Sequence, residues 1–114
     1  MRHYIKHPHS RAVLDINFPI KFIYDKFVIE KPLHNDYFSS SVYRAIVHNG
    51  LQQIGITGVG VLIWLTMDSE RTESDIAAFL YELFPDTPVE SISADSLHFL
   101  KHMASLGFFS EHES

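Results

Sequence analysis

The run 45–64 constrains the fold of this chain more than any other, because it joins a tight-turn signal to a change of hydrophobic pattern. Asn49 and Gly50 separate two apolar runs, and both residues tolerate the positive φ angles that a two-residue hairpin turn requires. The sequence therefore predicts an antiparallel hairpin of strands 42–47 and 51–56.

Helical spacing and capping signals predict three helices after the hairpin. The first, 58–67, is apolar around most of its circumference and is expected to be buried, with Thr57 as its N-cap. The second begins after Thr72, where Asp75 completes a capping box, and it ends before a proline-rich stretch. The third covers about 92–106.

The third predicted helix has an apolar stripe that is wider than one core contact requires. At about 100° per residue its apolar side chains span about 180°, whereas a surface helix that faces one core needs about 100°. One edge of the stripe is therefore expected to make a second contact. Gly107 supplies the expected C-terminal stop.

The N-terminal third reads as an extension, so we expect a boundary between residues 1–38 and 39–114. Residues 1–11 are polar and without periodicity, which predicts a mobile or partner-ordered tail. Apolar residues then alternate over 14–24 as in a strand, but Pro19 cannot donate to a ladder. An edge strand, a bulged strand and two shorter pieces all fit this pattern.

A turn at Asp25 and Lys26 is expected to lead into a second short strand, 27–29. The segment 12–38 is too apolar to remain exposed, since uncovered strands aggregate. We expect this segment to extend the sheet and either to close a homodimer or to dock a partner enzyme.

Composition excludes several functional classes. The chain has 114 residues and no cysteine, which fits one domain in a reducing compartment, the cytoplasm, and excludes disulfides and thiolate chemistry. No apolar run reaches the roughly 18 residues of a membrane span, and the first residues carry no secretion signal. We therefore expect no membrane contact.

The charges weigh against nucleic acid as a partner. Strands followed by three helices are the parts of a winged-helix domain, so we predict an α+β, winged-helix-like fold with a small antiparallel sheet and an N-terminal β-rich extension. Residues 1–50 carry seven Lys/Arg against four Asp/Glu, whereas residues 51–114 carry two against ten. A DNA-binding transcription regulator is the alternative function, but the third helix offers only Lys101 beside Asp95 to a phosphate backbone.

Several short motifs follow one another over roughly residues 42–109. They are Ile56-Thr57 at the end of a strand, Val59-Gly60-Val61 with Ile63-Trp64 in a helix, the turn 68–72, Leu83-Phe84-Pro85 and the helix end 103–108. In this order and spacing they resemble the PqqD-like family, the recognition elements of pathways that modify ribosomally made peptides. Thr57 stands where the family usually has Asn, the turn lacks a common Gly, and about 40 residues precede the hairpin where typical members have few.

The resemblance implies a non-catalytic protein that binds the leader segment of a precursor peptide as an added strand and presents it to a separate modifying enzyme. An edge strand offers unpaired amide and carbonyl groups, so such a peptide gains ladder hydrogen bonds whatever its sequence. Carried over position by position, the accepting strand is Leu51, Gln52, Gln53, Ile54 and Gly55, and the helical wall is Leu97, Leu100, Lys101 and Ala104. Phe99 and Met103 are the alternative wall. Leu97, Leu100 and Ala104 fit at least equally well as core residues.

No motif predicts a metal, a cofactor or catalysis. His98 and His102 lie one helical turn apart, as paired imidazole ligands would, but no acidic pattern completes a site, and solvated surface histidines are the simpler interpretation. The sequence contains no phosphate loop, nucleophile elbow or dinucleotide fingerprint. We therefore expect no metal, no cofactor and no enzyme activity.

Overall fold

The computed structural model describes residues 1–14, 20–29 and 44–113. In chain order its elements are β1 (Arg2–Lys6), β2 (Arg11–Leu14), β3 (Ile20–Ile23), β4 (Lys26–Ile29), β5 (Arg44–His48), β6 (Gln53–Thr57), α1 (Val59–Thr66), β7 (Arg71–Thr72), α2 (Glu73–Leu83), α3 (Val89–Ser105) and β8 (Phe109–Glu113). Three helices combined with antiparallel sheets confirm the predicted α+β class for this part of the chain.

The predicted hairpin is present as β5 and β6, but its turn is displaced by one residue. The antiparallel register ends at His48 opposite Gln53, so the turn comprises 49–52. The Asn49 side-chain oxygen accepts hydrogen bonds of 3.0 Å from the two backbone N–H groups that follow Gly50. Of the turn residues only Gly50 has a positive φ, 88°. Asn49 also donates its N–H to the Gln52 carbonyl, so these two residues lie opposite each other and the two central residues of the turn are Gly50 and Leu51. The predicted turn is thus displaced by one residue, since a turn with its positive φ angle at the first central position places Gly50 there.

Local capping signals placed α2 correctly and misplaced the start of α1. The Thr72 hydroxyl accepts from the Asp75 N–H at 3.1 Å, and the Asp75 carboxylate accepts from the Thr72 N–H at 2.9 Å, which confirms the capping box. Thr57 is the last residue of β6, and Gly58 is the N-cap of α1, with a φ of 61° and no side-chain cap. A β-branched threonine rarely adopts that angle, which explains why glycine stands at the junction.

Residues 1–11, predicted to be a mobile or partner-ordered tail, contribute β1 and the start of β2 to the sheets of the protein itself. β1 pairs antiparallel with β7 on one side and β8 on the other, and β2 pairs with the free side of β5. Tyr4 in β1 is fully buried in the core. β7 and β8 lie outside the predicted elements, because β7 has two residues and four of the five residues of β8 are exposed.

The alternating segment with Pro19 was open to three interpretations: an edge strand, a bulged strand or two shorter strands. The described residues agree with two shorter strands, β2 and β3. Pro19 itself lies outside the described residues. β3 and β4 form a hairpin whose two turn residues, Tyr24 and Asp25, have φ angles of 52° and 60°. The expected turn into a second short strand is therefore confirmed, one residue earlier than predicted.

Arg71 attaches the β3–β4 hairpin to the rest of the protein. Its guanidinium lies 5.5 Å from the ring of Phe22 in β3 and 5.2 Å from the ring of Phe79 in α2. It also pairs with Asp25 in the hairpin turn and, at 3.0 Å, with Asp68. Arginine suits this position because a planar guanidinium stacks on aromatic rings while it binds carboxylates at its edge.

The α3 helix ends at Ser105, and Gly107 follows its C-cap Leu106 as the predicted stop. Gly107 has a φ of 85°, its N–H donates to the Ala104 carbonyl at 3.1 Å, and the Phe108 N–H donates to the Met103 carbonyl at 3.0 Å. This pair of bonds is a Schellman motif, which satisfies two of the carbonyls that a helix end leaves free. The carbonyl of Leu106 remains available to a neighbouring segment.

Tyr4 tests whether β1 belongs to the core. Its buried hydroxyl has no partner among the described residues, and burial raises the pKa of Tyr4. We expect Tyr4→Phe to leave the free energy of unfolding unchanged or to raise it by about 1 kcal/mol. We expect Tyr4→Ala to lower it by about 3–5 kcal/mol. Urea unfolding followed by Trp64 fluorescence measures both, and a Tyr4→Ala variant as stable as the native chain would contradict the placement.

Candidate functional site

A groove runs between β6 and α3 and has a volume of about 430 Å³. We call it the β6–α3 groove. Its lining residues come from β6, from the start of α1 and from one side of α3: Ile54, Gly55, Ile56, Thr57, Gly58, Val59, Gly60, Asp95, His98, Phe99 and His102.

β6 has one unpaired edge. Among the described residues it pairs with β5 and with no other strand. The Asn49 N–H donates to the Gln52 carbonyl at 3.3 Å, and bonded and non-bonded pairs alternate along an antiparallel ladder. Counting from that bond, every second residue of β6 directs its N–H and C=O away from β5. These residues are Gln53, Gly55 and Thr57.

The hairpin turn is tied to the C-terminus of α3, and this tie closes one end of the groove. The free carbonyl of Leu106 accepts a hydrogen bond of 3.2 Å from the Asn49 side-chain amide and a second bond from the Gln52 side chain. The same asparagine thus closes its own turn and holds the helix end. The beginning of β6 is therefore held at a fixed distance from α3.

Gly60 and Phe99 set the separation at the other end of the groove. A Cβ atom on Gly60 would lie 2.7 Å from the Phe99 ring, so only glycine lets α3 approach α1 this closely. The Phe99 ring packs edge-on against Phe109 with centroids 6.1 Å apart, and Phe109 lies 5.5 Å from Trp64. Phe99 is thus held by the aromatic core and forms the apolar base of the groove.

The polar side chains of the groove come from α3. Asp95, His98 and His102 lie on the side of the helix that faces β6. The two imidazole rings are parallel within 4°, with centroids 6.3 Å apart. Among the described residues no group of three or more His, Asp or Glu side chains is arranged to hold a metal ion.

The predicted accepting strand lies only partly in the groove. Ile54 and Gly55 line it, and Gln53 is the first residue of β6. Leu51 and Gln52 belong to the turn, where Leu51 is 93% exposed. The difference arises because the turn is displaced by one residue, which places Leu51 at its centre and Gln52 opposite Asn49.

The predicted helical wall lies elsewhere on α3. None of the four predicted wall residues lines the groove. These residues are Leu97, Leu100, Lys101 and Ala104. Leu100 is fully buried in the core, as is Met103 of the alternative wall, and Lys101 is exposed. Phe99, the other member of the alternative wall, lines the groove. Leu97 lies about 160° around the helix from Phe99, at the opposite edge of the apolar stripe.

Sequence reasoning missed Asp95, His98 and His102 as groove residues. Its expectation that the two histidines are exposed to solvent is confirmed. The wide apolar stripe was a usable signal, because its Phe99 edge does make a second contact. The sequence gives no indication of which edge turns towards β6, since that depends on the contact between Phe99 and Gly60.

The sequence of the groove region matches a known protein family. Residues 46–108 match the family model for coenzyme PQQ synthesis protein D (PqqD). The chain belongs to the PqqD family. This family comprises recognition elements for ribosomally synthesised, modified peptides. The match begins within β5 and ends three residues after α3, so it includes every residue that lines the β6–α3 groove.

Comparison of the PqqD-family chain with curated proteins and with solved structures finds no match. In the part of the chain that the structure describes, no helix has the length and apolar character needed to cross a membrane.

The tie between the hairpin turn and α3 can be tested by two alanine variants. Asn49→Ala removes an acceptor of two N–H groups and a donor to Leu106, so we expect it to lower the free energy of unfolding by about 1–3 kcal/mol. Gln52→Ala removes one exposed hydrogen bond and should cost less than about 1 kcal/mol. Urea unfolding compares them, and equal losses would show that Asn49 does not hold the turn.

Proposed function

We propose that this PqqD-family chain binds an extended segment of a precursor peptide along the unpaired edge of β6 and presents it to a separate modifying enzyme. The observation that carries the proposal is the unpaired edge of β6, which lies across the groove from α3. The peptide would bond to the outward N–H and C=O groups of Gln53, Gly55 and Thr57. Each such bond contributes about 0.5–1.5 kcal/mol net, independent of the peptide's sequence.

The side-chain contacts of the proposed complex come from both walls. Side chains on one face of the added strand would contact Phe99 and Val59, which supply apolar surface. Those on the other face would lie beside Gly55, where nothing stands within 4 Å of an added Cβ atom. The proposed wall therefore consists of Phe99 with Asp95, His98 and His102, in place of Leu97, Leu100, Lys101 and Ala104.

The family relationship supports a peptide-binding role over the alternative of a DNA-binding regulator. The PqqD family is a peptide-binding accessory family, which fits a chain without its own catalytic activity. The α3 surface in the groove carries Asp95 and no Lys or Arg, which would repel phosphate. We place this activity in the cytoplasm, in agreement with the absence of cysteine.

The outer face of the β3–β4 hairpin is the surface that we propose for protein contact. Ile23 and Val28 are 41% and 43% exposed, and Tyr24 at the turn is 92% exposed. The sequence predicts that this segment closes a homodimer or docks the enzyme.

Light scattering of the full chain distinguishes the homodimer from the enzyme contact. A homodimer formed through this face should dissociate when Tyr24→Ser is introduced, whereas a chain that is already monomeric would support the enzyme contact.

Gly55 provides the sharpest test of strand addition, because two substitutions there differ in one N–H group. Gly55→Pro removes an outward N–H without removing a bond to β5, whereas Gly55→Ala keeps that N–H and meets open space. We expect Gly55→Pro to weaken binding of a precursor leader by about tenfold or more, and Gly55→Ala by less than about threefold. Fluorescence anisotropy with labelled leader peptides encoded near this gene measures both.

Circular dichroism melting must show that both Gly55 variants remain folded. If the folded Gly55→Pro and Gly55→Ala variants bind a leader peptide equally, the peptide does not pair with β6. Binding of random duplex DNA that falls steeply with salt, without leader binding, would favour the transcription regulator instead.

Gly60→Ala tests the role of Phe99 as the base of the groove. The added methyl group would displace the Phe99 ring, because their closest atoms would be 2.7 Å apart. We expect leader affinity to fall by about threefold to tenfold, and the double variant Gly60→Ala with Phe99→Leu to regain part of it, since the smaller side chain makes room. Unchanged affinity in folded Gly60→Ala would place the ligand away from Phe99.

A further inference from the structure

The two histidines of the groove have the spacing of alternate residues in a β-strand. His98 and His102 are one turn apart on α3, and their parallel rings are 6.3 Å apart. Side chains on one face of a strand recur every two residues, or about 6.6 Å. A strand lying along β6 would therefore bring two successive same-face side chains opposite these two imidazoles.

Asp95, His98 and His102 follow one another along the groove in a fixed order. β6 begins at the hairpin turn, which is bonded to the C-terminal end of α3. His102 consequently lies nearest the turn, His98 follows, and Asp95 lies farthest from it. Among the described lining residues these three are the only ionisable ones, because β6 and α1 contribute none.

The charged groups of the neighbouring strand β8 have other partners. Glu111 and Glu113 pair with Arg2, and His112 pairs with Glu70. Lys101 lies about 100° around α3 from His102. The negative net charge of the chain, −5, acts from a distance and is screened beyond about 8 Å at physiological salt. Contacts inside the groove therefore decide the charge preference.

We propose that the groove selects extended peptides with two acidic side chains in alternate positions, opposite His98 and His102. This inference rests on the proposed function, because it needs a strand paired with β6. Imidazole N–H groups donate to carboxylates, and such bonds to charged acceptors are about twice as strong as neutral ones. A third alternate position, opposite Asp95, favours Lys or Arg and disfavours a further acid.

The same arrangement makes binding depend on pH. Histidine is the side chain whose charge changes between about pH 5 and pH 8. A bound carboxylate stabilises the protonated imidazole, so the complex holds more protons than the free protein. By linkage, the affinity for an acidic peptide rises as the pH falls from about 8 to about 6, where the peptide carboxylates are still ionised.

Four labelled synthetic peptides of equal length and β-forming composition test the proposal. They carry Glu-x-Glu, Gln-x-Gln, Lys-x-Lys or adjacent Glu-Glu at the centre, and anisotropy gives the Kd at about pH 6 and about pH 8. We expect Glu-x-Glu to bind about tenfold more tightly than Gln-x-Gln at the lower pH, with a smaller difference at the higher pH. Adjacent Glu-Glu should lose most of the advantage, because it places one carboxylate on the other face.

The double variant His98→Gln with His102→Gln is the matched protein control. The variant is judged by the ratio of its affinities for Glu-x-Glu and Gln-x-Gln, because both histidines also line the groove. This ratio should fall to about one, and its pH dependence should disappear. Equal affinities for Glu-x-Glu and Gln-x-Gln, tighter binding of Lys-x-Lys, or an adjacent pair as good as an alternate one would each overturn the acidic preference. If Gly55→Pro still weakens binding of Gln-x-Gln, the proposed function survives that result, whereas no binding of any peptide rejects both.

Discussion

The separation between β6 and α3 is the constraint on which the groove depends. Asn49 holds one end through the Leu106 carbonyl, and the contact between Gly60 and Phe99 sets the other. With both ends held, β6 can neither pack directly on α3 nor swing away from it. Its outward N–H and C=O groups therefore remain open beside a wall of fixed position. A peptide that enters the groove would meet a preorganised edge and avoid much of the entropy cost of ordering the site.

Features encoded by neighbouring residues could be predicted from the sequence. The capping box of Thr72 and Asp75, the stop at Gly107 and the existence of the β5–β6 hairpin all depend on interactions within a few residues. The errors were local as well. The hairpin turn is centred on Gly50 and Leu51 instead of Asn49 and Gly50. Gly58 rather than Thr57 is the N-cap of α1, because the junction needs a positive φ angle. These shifts moved Leu51 and Gln52 out of the accepting strand.

Features that depend on distant pairing could not be predicted. β8 is polar and becomes a strand only because β1, more than a hundred residues earlier along the chain, supplies its ladder. The rotation of α3 is likewise set by distant contacts, since both edges of its apolar stripe looked suitable as a wall. Packing of Phe99 on Gly60 and Phe109 turned Asp95, His98 and His102 towards β6 and left Leu100 in the core.

Amide hydrogen exchange, read residue by residue by NMR with and without a saturating leader peptide, tests the central claim most directly. The account predicts an alternating pattern along β6. The amides of Gln53, Gly55 and Thr57 should exchange rapidly in the free protein and slowly in the complex, whereas those of Ile54 and Ile56, bonded to β5, should be slow in both. Slow exchange at Gly55 and Thr57 in the free protein, or rapid exchange that the peptide leaves unchanged, would contradict the account.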